Sequence, residues 1–99
     1  MSRRVSEVVS VGTSATKVMS QGAGKIMKLK KVWAYNSGGS AATFNFCDSG
    51  GTAKTPSISV NAGSHVVIGE LDLPEYTFES DIYAVASASG ISLMIEVEE

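Results

Sequence analysis

The stretch Ile82-Tyr-Ala-Val-Ala-Ser-Ala-Ser-Gly-Ile-Ser-Leu-Met-Ile-Glu-Val97 decides the fold class. Apolar residues recur at every second position on both sides of Ser87-Ala-Ser-Gly90, most regularly at Ile91, Leu93, Ile95 and Val97. A period of two is typical of a β-strand with one buried face, and Ser and Gly favour a turn. The stretch therefore predicts two strands separated by a turn.

The same pattern continues towards the N-terminus, and no helical spacing interrupts it. Further strands are predicted over residues 3–11, 15–19, 25–36, 42–46, 58–60 and 65–71, and turns over 36–40, 48–52 and 61–64. Seven to eight short strands at this spacing predict an all-β antiparallel sandwich, jelly-roll-like or immunoglobulin-like. A chain of 99 residues forms one domain over 1–99, and we expect residues 1–4 to form a flexible N-terminal arm.

The longest candidate strand, residues 25–36, assigns side chains to two faces. Met27, Leu29, Trp33 and Tyr35 share one parity and are predicted to be buried, with Lys28 and Lys30 outward. Lys31 breaks the apolar parity, which suggests a β-bulge or a sheet edge. In residues 3–11, the same rule predicts that Val5, Val9 and Val11 share a face.

Charge is divided unevenly along the chain. Residues 1–54 carry eight basic and two acidic residues, whereas residues 55–99 carry eight acidic residues and no basic one. Opposite poles steer and register association, which predicts a subunit that contacts other subunits. The candidate interface consists of Arg3, Arg4, Lys25, Lys28, Lys30, Lys31, Glu70, Asp72 and Glu75.

Several classes of protein are disfavoured by composition. No apolar run approaches 18 residues and no apolar segment follows the N-terminal charges, so we expect no membrane span and no signal peptide. The single Cys47 excludes an intrachain disulfide framework and suggests a reducing compartment. Lysines beside Trp33 and Tyr35 resemble a nucleic-acid surface, but buried rings could not stack on bases, so nucleic acid ranks behind a charged edge or a protein contact.

The residues with catalytic chemistry form no recognisable site. Cys47-Asp-Ser-Gly-Gly51 is similar to the segment around the nucleophile of chymotrypsin-like proteases, but His65 follows Ser49 instead of preceding it, so a turn is predicted. One histidine and one cysteine leave no nucleophile–base pair and no zinc site. Glu70 and Asp72 could share a face and reach Ca²⁺, yet such acids are usually a solvated face. We therefore expect no enzyme activity, no metal and no cofactor.

The order of turns and strands resembles a known class of proteins. The chain resembles small all-β virion accessory proteins of tailed bacteriophages. The resemblance lies in the order of five segments: Gly12-Thr-Ser-Ala-Thr16, a lysine-rich strand ending in Asn36-Ser37, Asp48-Ser-Gly-Gly51, Asn61-Ala-Gly-Ser64 and the stretch 82–90. The resemblance implies a structural role and a homo-oligomeric or lattice-bound state, and it carries over no catalytic residue.

The resulting prediction is a non-enzymatic decoration or cement protein of a phage head. Its partners would be the major capsid protein or other virion proteins, and its location the virion, assembled in the host cytoplasm. Complementary charge poles suggest a head-to-tail homo-oligomeric ring, for which we predict a trimer. A phage connector or tail ring protein is one alternative. A carbohydrate- or ligand-binding β-module is another, and it needs at least two of Trp33, Tyr35, Tyr76 and Tyr83 exposed on one face.

Overall fold

The computed structural model describes residues 3–22, 24–70, 72–73 and 76–99, and within these ranges all regular structure is β-strand. The strands are β1 (Arg3–Val5), β2 (Val9–Val11), β3 (Thr16–Met19), β4 (Met27–Asn36), β5 (Ala42–Cys47), β6 (Ile58–Val60), β7 (His65–Ile68), β8 (Thr77–Phe78), β9 (Ile82–Ala86) and β10 (Ile91–Glu98). The predicted all-β antiparallel class is confirmed. In these ranges no helix has the length and apolar character needed to cross a membrane.

Two antiparallel sheets are connected in the manner of a jelly roll. The first sheet has the order β1-β10-β4-β7, with β2 also on β10 and β8 also on β4, and the second has the order β3-β9-β5-β6. Early strands thus pair with late ones, β2 with β10, β3 with β9, β4 with β7 and β5 with β6, as when one long hairpin is rolled up. This connectivity decides between the two predicted architectures in favour of the jelly roll.

An extra residue divides the predicted strand 3–11 into β1 and β2. Val5 pairs with Glu96 and Val9 with Leu93, so four steps on one strand oppose three on β10. The Ser6 hydroxyl occupies the gap and accepts the Ile95 N–H at 2.9 Å. The insertion reverses the alternation, so the prediction for Val5 was wrong: it is exposed, whereas Val11 is buried.

A second irregularity lies in β4, where the lysines interrupt the alternation. Glu96 pairs with Lys31 and Val97 with Leu29, which leaves Lys30 as an extra residue opposite the pair. The bulge that Lys31 suggested is present, and it exchanges the two faces beyond it. The predicted burial of Tyr35 was therefore wrong, because Tyr35 is exposed.

The exchange of faces at this bulge also determines which side chains of β4 are buried in the core. Val32, Ala34 and Asn36 are buried in β4 beyond the bulge, and Trp33 is only partly covered. Two further details differ from the prediction, since the two-residue strand β8 was not predicted, and residues 3–4 belong to β1 although a flexible arm was predicted there. With β1 and β2 counted separately, the described ranges hold ten strand segments in place of seven to eight.

The core lies between the sheets and is filled by inward residues of both. Phe44 packs edge-on against Phe46 with ring centroids 5.9 Å apart, and Phe46 packs against Phe78 at 6.4 Å. Around these rings the largest fully buried side chains are Met27, Val32, Val60, Ile82, Ile91, Leu93, Ile95 and Val97. Edge-to-face contact adds to the burial of apolar area, so this centre holds the sandwich closed.

One buried polar side chain, Asn36, fastens a turn at the end of β4. Its amide nitrogen donates to the carbonyl oxygens of Ser40, at 2.9 Å, and Val60, at 3.1 Å, and its side-chain oxygen accepts the Gly38 N–H at 2.8 Å. Since a buried amide must be hydrogen-bonded, these contacts satisfy it fully and join the first sheet to β6.

Candidate functional site

The outward surface of the first sheet carries a group of exposed apolar side chains, including Val8, Tyr35 and Val67. Val67, Trp33 and Met94 form a row across β7, β4 and β10, because Trp33 pairs with both of the others. Val8 extends the row next to β10, and Tyr35 with His65 forms the row beside it. We call Val8, Trp33, Tyr35, His65, Val67 and Met94 the outer patch; they line a shallow depression of about 190 Å³.

Exposure is high for the members of the outer patch that matter most. Val8 is 70%, Val67 51% and Tyr35 45% exposed. Such contiguous apolar area on a small protein marks an interaction surface more often than scattered apolar residues do. The outer patch contains two aromatic rings and no Lys, Arg, Asp or Glu, so a partner would contact it mainly by apolar packing.

A lysine ammonium covers one of those rings. Lys31 Nζ lies 5.0 Å from the centroid of the Trp33 ring, within the range of a cation–π contact. The ring face that a planar ligand would need is therefore occupied. Tyr35 remains the ring of the outer patch that is most open to solvent.

Five charged residues lie beside the outer patch, towards the end of the same face where β4 begins. We call them the ion-pair cluster: Arg3, Lys30, Glu70, Glu96 and Glu98. Arg3 lies 3.1 Å from Glu70 and 3.5 Å from both Glu96 and Glu98. Lys30 lies 3.1 Å from Glu70 and 3.8 Å from Glu98. Charges from β1, β4, β10 and the segment after β7 are thus paired within one chain, with two cations against three carboxylates.

Hydrogen bonds in the cluster alter the acid–base behaviour of two groups. Lys30 and then Arg3 donate to the Glu70 carboxylate, and these bonds hold the pKa of Glu70 below its ordinary value of 4.5. The hydrogen bond that Arg3 donates to Glu70 in turn raises the pKa of Arg3. Both shifts favour the charged forms, so Glu70 and Arg3 stay ionised at neutral pH.

The predicted interface residues divide between this cluster and other places. Arg3, Lys30 and Glu70 belong to the cluster, and Lys31 lies over Trp33. Arg4 binds the Glu99 carboxylate and the Ser20 carbonyl oxygen. Of the remaining four, Lys25 is in the loop before β4, Lys28 pairs with the cluster residue Glu98 in the β4–β10 ladder, Asp72 is exposed beyond β7, and Glu75 lies outside the described residues.

The ion pairs of the cluster affect two predicted roles of charged residues, Ca²⁺ binding and head-to-tail assembly. Both Glu70 carboxylate oxygens already contact cationic side chains, so a Ca²⁺ ion shared with Asp72 would compete with Arg3 and Lys30. The basic and acidic halves of the sequence meet inside one subunit. The electrostatic reason for a head-to-tail ring is thereby weakened, because much of the complementary charge is already paired.

The residues with nucleophilic chemistry are separate from one another. Asp48 accepts the N–H groups of Gly50 and Thr52 at 2.9 and 3.0 Å, which makes the protease-like segment a turn around Ser49. Cys47 is buried, and desolvation, with a smaller contribution from Asp48, raises the pKa of its thiol. His65 is on the outer patch. The described ranges contain no group of three or more His, Cys, Asp or Glu residues placed to hold a metal ion.

The four aromatic rings considered for a sugar platform are also divided. Trp33 and Tyr35 share the outward face of the first sheet, as that hypothesis required of at least two rings. Tyr83 belongs to β9 in the second sheet, and Tyr76 packs against the core. A platform of two rings therefore remains, with Lys31 over one of them.

Sequence reasoning did not find Val8, Val67 and Met94. The one available signal was the run Val66-Val67-Ile68, in which consecutive apolar residues must place at least one side chain outward on a strand. Val66 and Ile68 pack against the core, and Val67 is the outward residue.

Comparison with known proteins shows similarity of fold. No family model matches the chain, and no curated protein matches it. One solved structure with a similar fold comes from Bacillus endospore appendages, described as a novel family of disulfide-linked pili. That similarity covers 97% of this chain and 81% of the other chain, with a TM-score of 0.56 and 14% sequence identity. At this identity the shared feature is the all-β sandwich.

Proposed function

We propose that this chain is a non-enzymatic structural subunit that acts by binding other proteins of an assembly. The observation that carries the proposal is the outer patch, an exposed apolar surface on the first sheet whose members include no Lys, Arg, Asp or Glu and against which the Lys31 ammonium packs. The separation of Cys47, Ser49 and His65 supports a binding role over a catalytic one. Anything that binds only the assembled state stabilises that state, which is how such a subunit would act.

In its more specific form, the proposal is a virion accessory protein that docks on or stabilises a phage head. The order of turns and strands in the sequence supports this form, and jelly rolls are common in viral shells. The similar fold in a pilus-type chain supports the broader class, a protein used to build an assembly. The docking partner would be the major capsid protein or another virion protein.

Covalent linkage by disulfides does not suit this sequence. A single cysteine can join two subunits but cannot continue a chain of them, and Cys47 is 1% exposed. The elevated pKa of its thiol further lowers its reactivity. The proposed assembly is therefore non-covalent and uses surface packing.

Quantitative mass spectrometry of purified particles from the source culture tests the proposal. Hundreds of copies of this chain per particle, in proportion to the major shell protein, would indicate decoration or cement. A handful of copies would indicate the alternative, a connector or tail ring. Absence from every particle would contradict the virion role.

A matched pair of variants links that result to the outer patch. Val67→Glu places a charge in the patch, whereas Ile26→Glu changes an equally exposed residue, 52% against 51%, at the opposite end of β4. In co-sedimentation with particles that lack the chain, we expect Val67→Glu to lose binding and Ile26→Glu to keep it. Equal binding by both variants would exclude the outer patch as the docking surface.

A carbohydrate-binding module is the second candidate, favoured by the shared face of Trp33 and Tyr35. A sugar stacked on these rings would displace Lys31 and change the emission of the only tryptophan. Titration with soluble oligosaccharides, monitored by Trp33 fluorescence, separates the candidates. A saturable shift that Tyr35→Ala abolishes would favour sugar binding, and no shift would favour the structural role.

A further inference from the structure

We propose that the outer patch binds the outer patch of a second copy of this chain, through a two-fold axis that runs across the strands. This inference rests on the proposed structural role and specifies a partner for the same surface. It concerns a contact between identical subunits, which would compete with attachment of the same surface to a particle.

The first argument is the chemistry that a partner must present. The row Val67, Trp33 and Met94, with Val8 beside it, offers branched and aromatic groups that pack best against similar groups. No member of the outer patch is Lys, Arg, Asp or Glu, and the Lys31 ammonium at its edge already lies against the Trp33 ring, so a strongly charged partner would lose hydration of most of its charges there without compensation. A mostly apolar face is required, and this chain carries one.

The second argument is the state of the neighbouring charges. Arg3 and Glu70 are 3.1 Å apart, and Lys30 and Glu70 are also 3.1 Å apart, so the charges of the ion-pair cluster are already paired with one another, although two cations and three carboxylates leave it one negative charge. An oppositely charged partner would have to displace these contacts. An interface centred on the outer patch leaves the cluster hydrated at its rim, the usual place for charge in a protein interface.

The third argument fixes the relative orientation of the two copies. If the strands of both faces ran in the same direction, one ion-pair cluster would oppose the other, and like charges would be brought together. A two-fold axis across the strands places the clusters at opposite ends. Each cluster then faces the partner's turns 36–40, 61–64 and 87–90, which contain no charged residue.

The area of the outward face determines how tightly two copies are expected to bind. A face four strands wide and seven residues long covers roughly 400 Å² in projection, from strand spacing and rise per residue. Stable complexes bury about 800 Å² of accessible surface per partner, so this contact belongs with weak, reversible interfaces. We expect a dimer with a dissociation constant of roughly micromolar size or weaker, closed by its symmetry.

Sedimentation equilibrium of the full chain over a concentration series tests the contact. We expect a reversible monomer–dimer equilibrium in the wild type and in Ile26→Glu. For Val67→Glu we expect a dissociation constant at least about tenfold higher than that of the wild type, because a buried unpaired charge is costly. Circular dichroism and thermal melting establish that each variant is folded. A wild type that is monomeric at millimolar concentration, or a Val67→Glu variant that dimerises normally, would overturn the inference.

Cross-linking tests the orientation independently. Met94 lies in the row near the proposed axis, so Met94→Cys should form a disulfide dimer under mild oxidation, whereas Ile26→Cys, far from the axis, should not. Equal cross-linking of both variants, or none, would contradict the two-fold arrangement. A chain that is monomeric yet abundant on particles would refute this inference alone. A dimer that is absent from particles would refute only the virion role.

Discussion

Lys31 Nζ lies over the ring of Trp33 at 5.0 Å, so a residue from the basic half of the sequence covers part of the candidate binding surface. The two side chains are two residues apart on one strand and therefore share a face, and the bulge at Lys30 turns that face outward. The contact limits how much of the indole is available to a partner.

Removing this cover should expose the ring. We expect Lys31→Met to increase the quenching of Trp33 fluorescence by acrylamide and to lower stability by about 0.5–1 kcal/mol, the usual size of an exposed cation–π contact. Lys17→Met, in β3 of the second sheet, is the control and should leave quenching unchanged. Unchanged quenching in Lys31→Met would show that the ammonium does not shield the ring in solution.

Asn36 should be among the polar side chains that matter most for stability. Replacing it with alanine leaves the Gly38 N–H and the carbonyl oxygens of Ser40 and Val60 without their partner. The Val60 bond is buried and the other two are partly buried, so at about 1–3 kcal/mol for a buried group left unsatisfied the loss should be at least about 1–3 kcal/mol. Urea denaturation measures it. Asn45→Ala, which removes a single 3.2 Å bond to the Phe46 carbonyl, should cost less. Similar losses in both variants would contradict this role for Asn36.

Gly90 should not tolerate a side chain. Its φ is +105°, and a Cβ built on it would lie 3.1 Å from the backbone nitrogen of Gly38. We expect Gly90→Ala to lower the free energy of unfolding by about 1–3 kcal/mol. Gly39→Ala adds a Cβ to open space in the neighbouring turn and should be nearly neutral in the same denaturation experiment.

The ion-pair cluster predicts a specific dependence on pH. Because the pKa of Glu70 is lowered in the folded chain, its charged form adds stability above pH 4.5, and this contribution disappears as pH falls through the lowered value. Melting temperatures of the wild type and Glu70→Gln should therefore differ at pH 7 and converge below pH 4.5. Salt should reduce the difference, since the pairs are largely exposed. Glu7→Gln, at an exposed position outside the cluster, is the control.

The Cys47 thiol should react slowly in the folded protein. It is buried in β5 and its pKa is raised, so little thiolate is accessible at neutral pH. We expect a thiol reagent to modify the chain quickly in denaturant and only slowly in buffer. Rapid reaction of the folded chain would show that the strand opens readily at this position.

Most strands and turns could be predicted because their signals are local. The alternation in Ile91–Val97 and the Gly- and Asn-containing turns depend on neighbouring residues alone, and the structure places strands and turns there. Local pattern also anticipated an irregularity near Lys31. These features need no knowledge of which strands pair.

The buried and outward faces of the strands were predicted less well, because a bulge is an extra residue relative to a partner strand and the sequence does not identify that partner. The extra residues at Ser6–Val8 and at Lys30 are measured against β10, and nothing in either segment identifies that partner. Val5, Trp33 and Tyr35 were therefore assigned to the wrong face, and the outer patch was missed. The pairing of Arg3 with Glu70 joins residues 67 apart in sequence, which charge counting along the chain could not reveal.

The register that pairs Arg3 with Glu98 brings the start of β1 and the end of β10 side by side, and Arg4 binds Glu99 there. A short linker could therefore join them, and new ends could be opened in the turn at 48–52, giving a circularly permuted protein of the same shape. The joined ends lie beside the charged cluster and away from Tyr35 and Val67. A cargo attached there would leave the apolar face free, which makes this small jelly roll suited to display on whatever surface it binds.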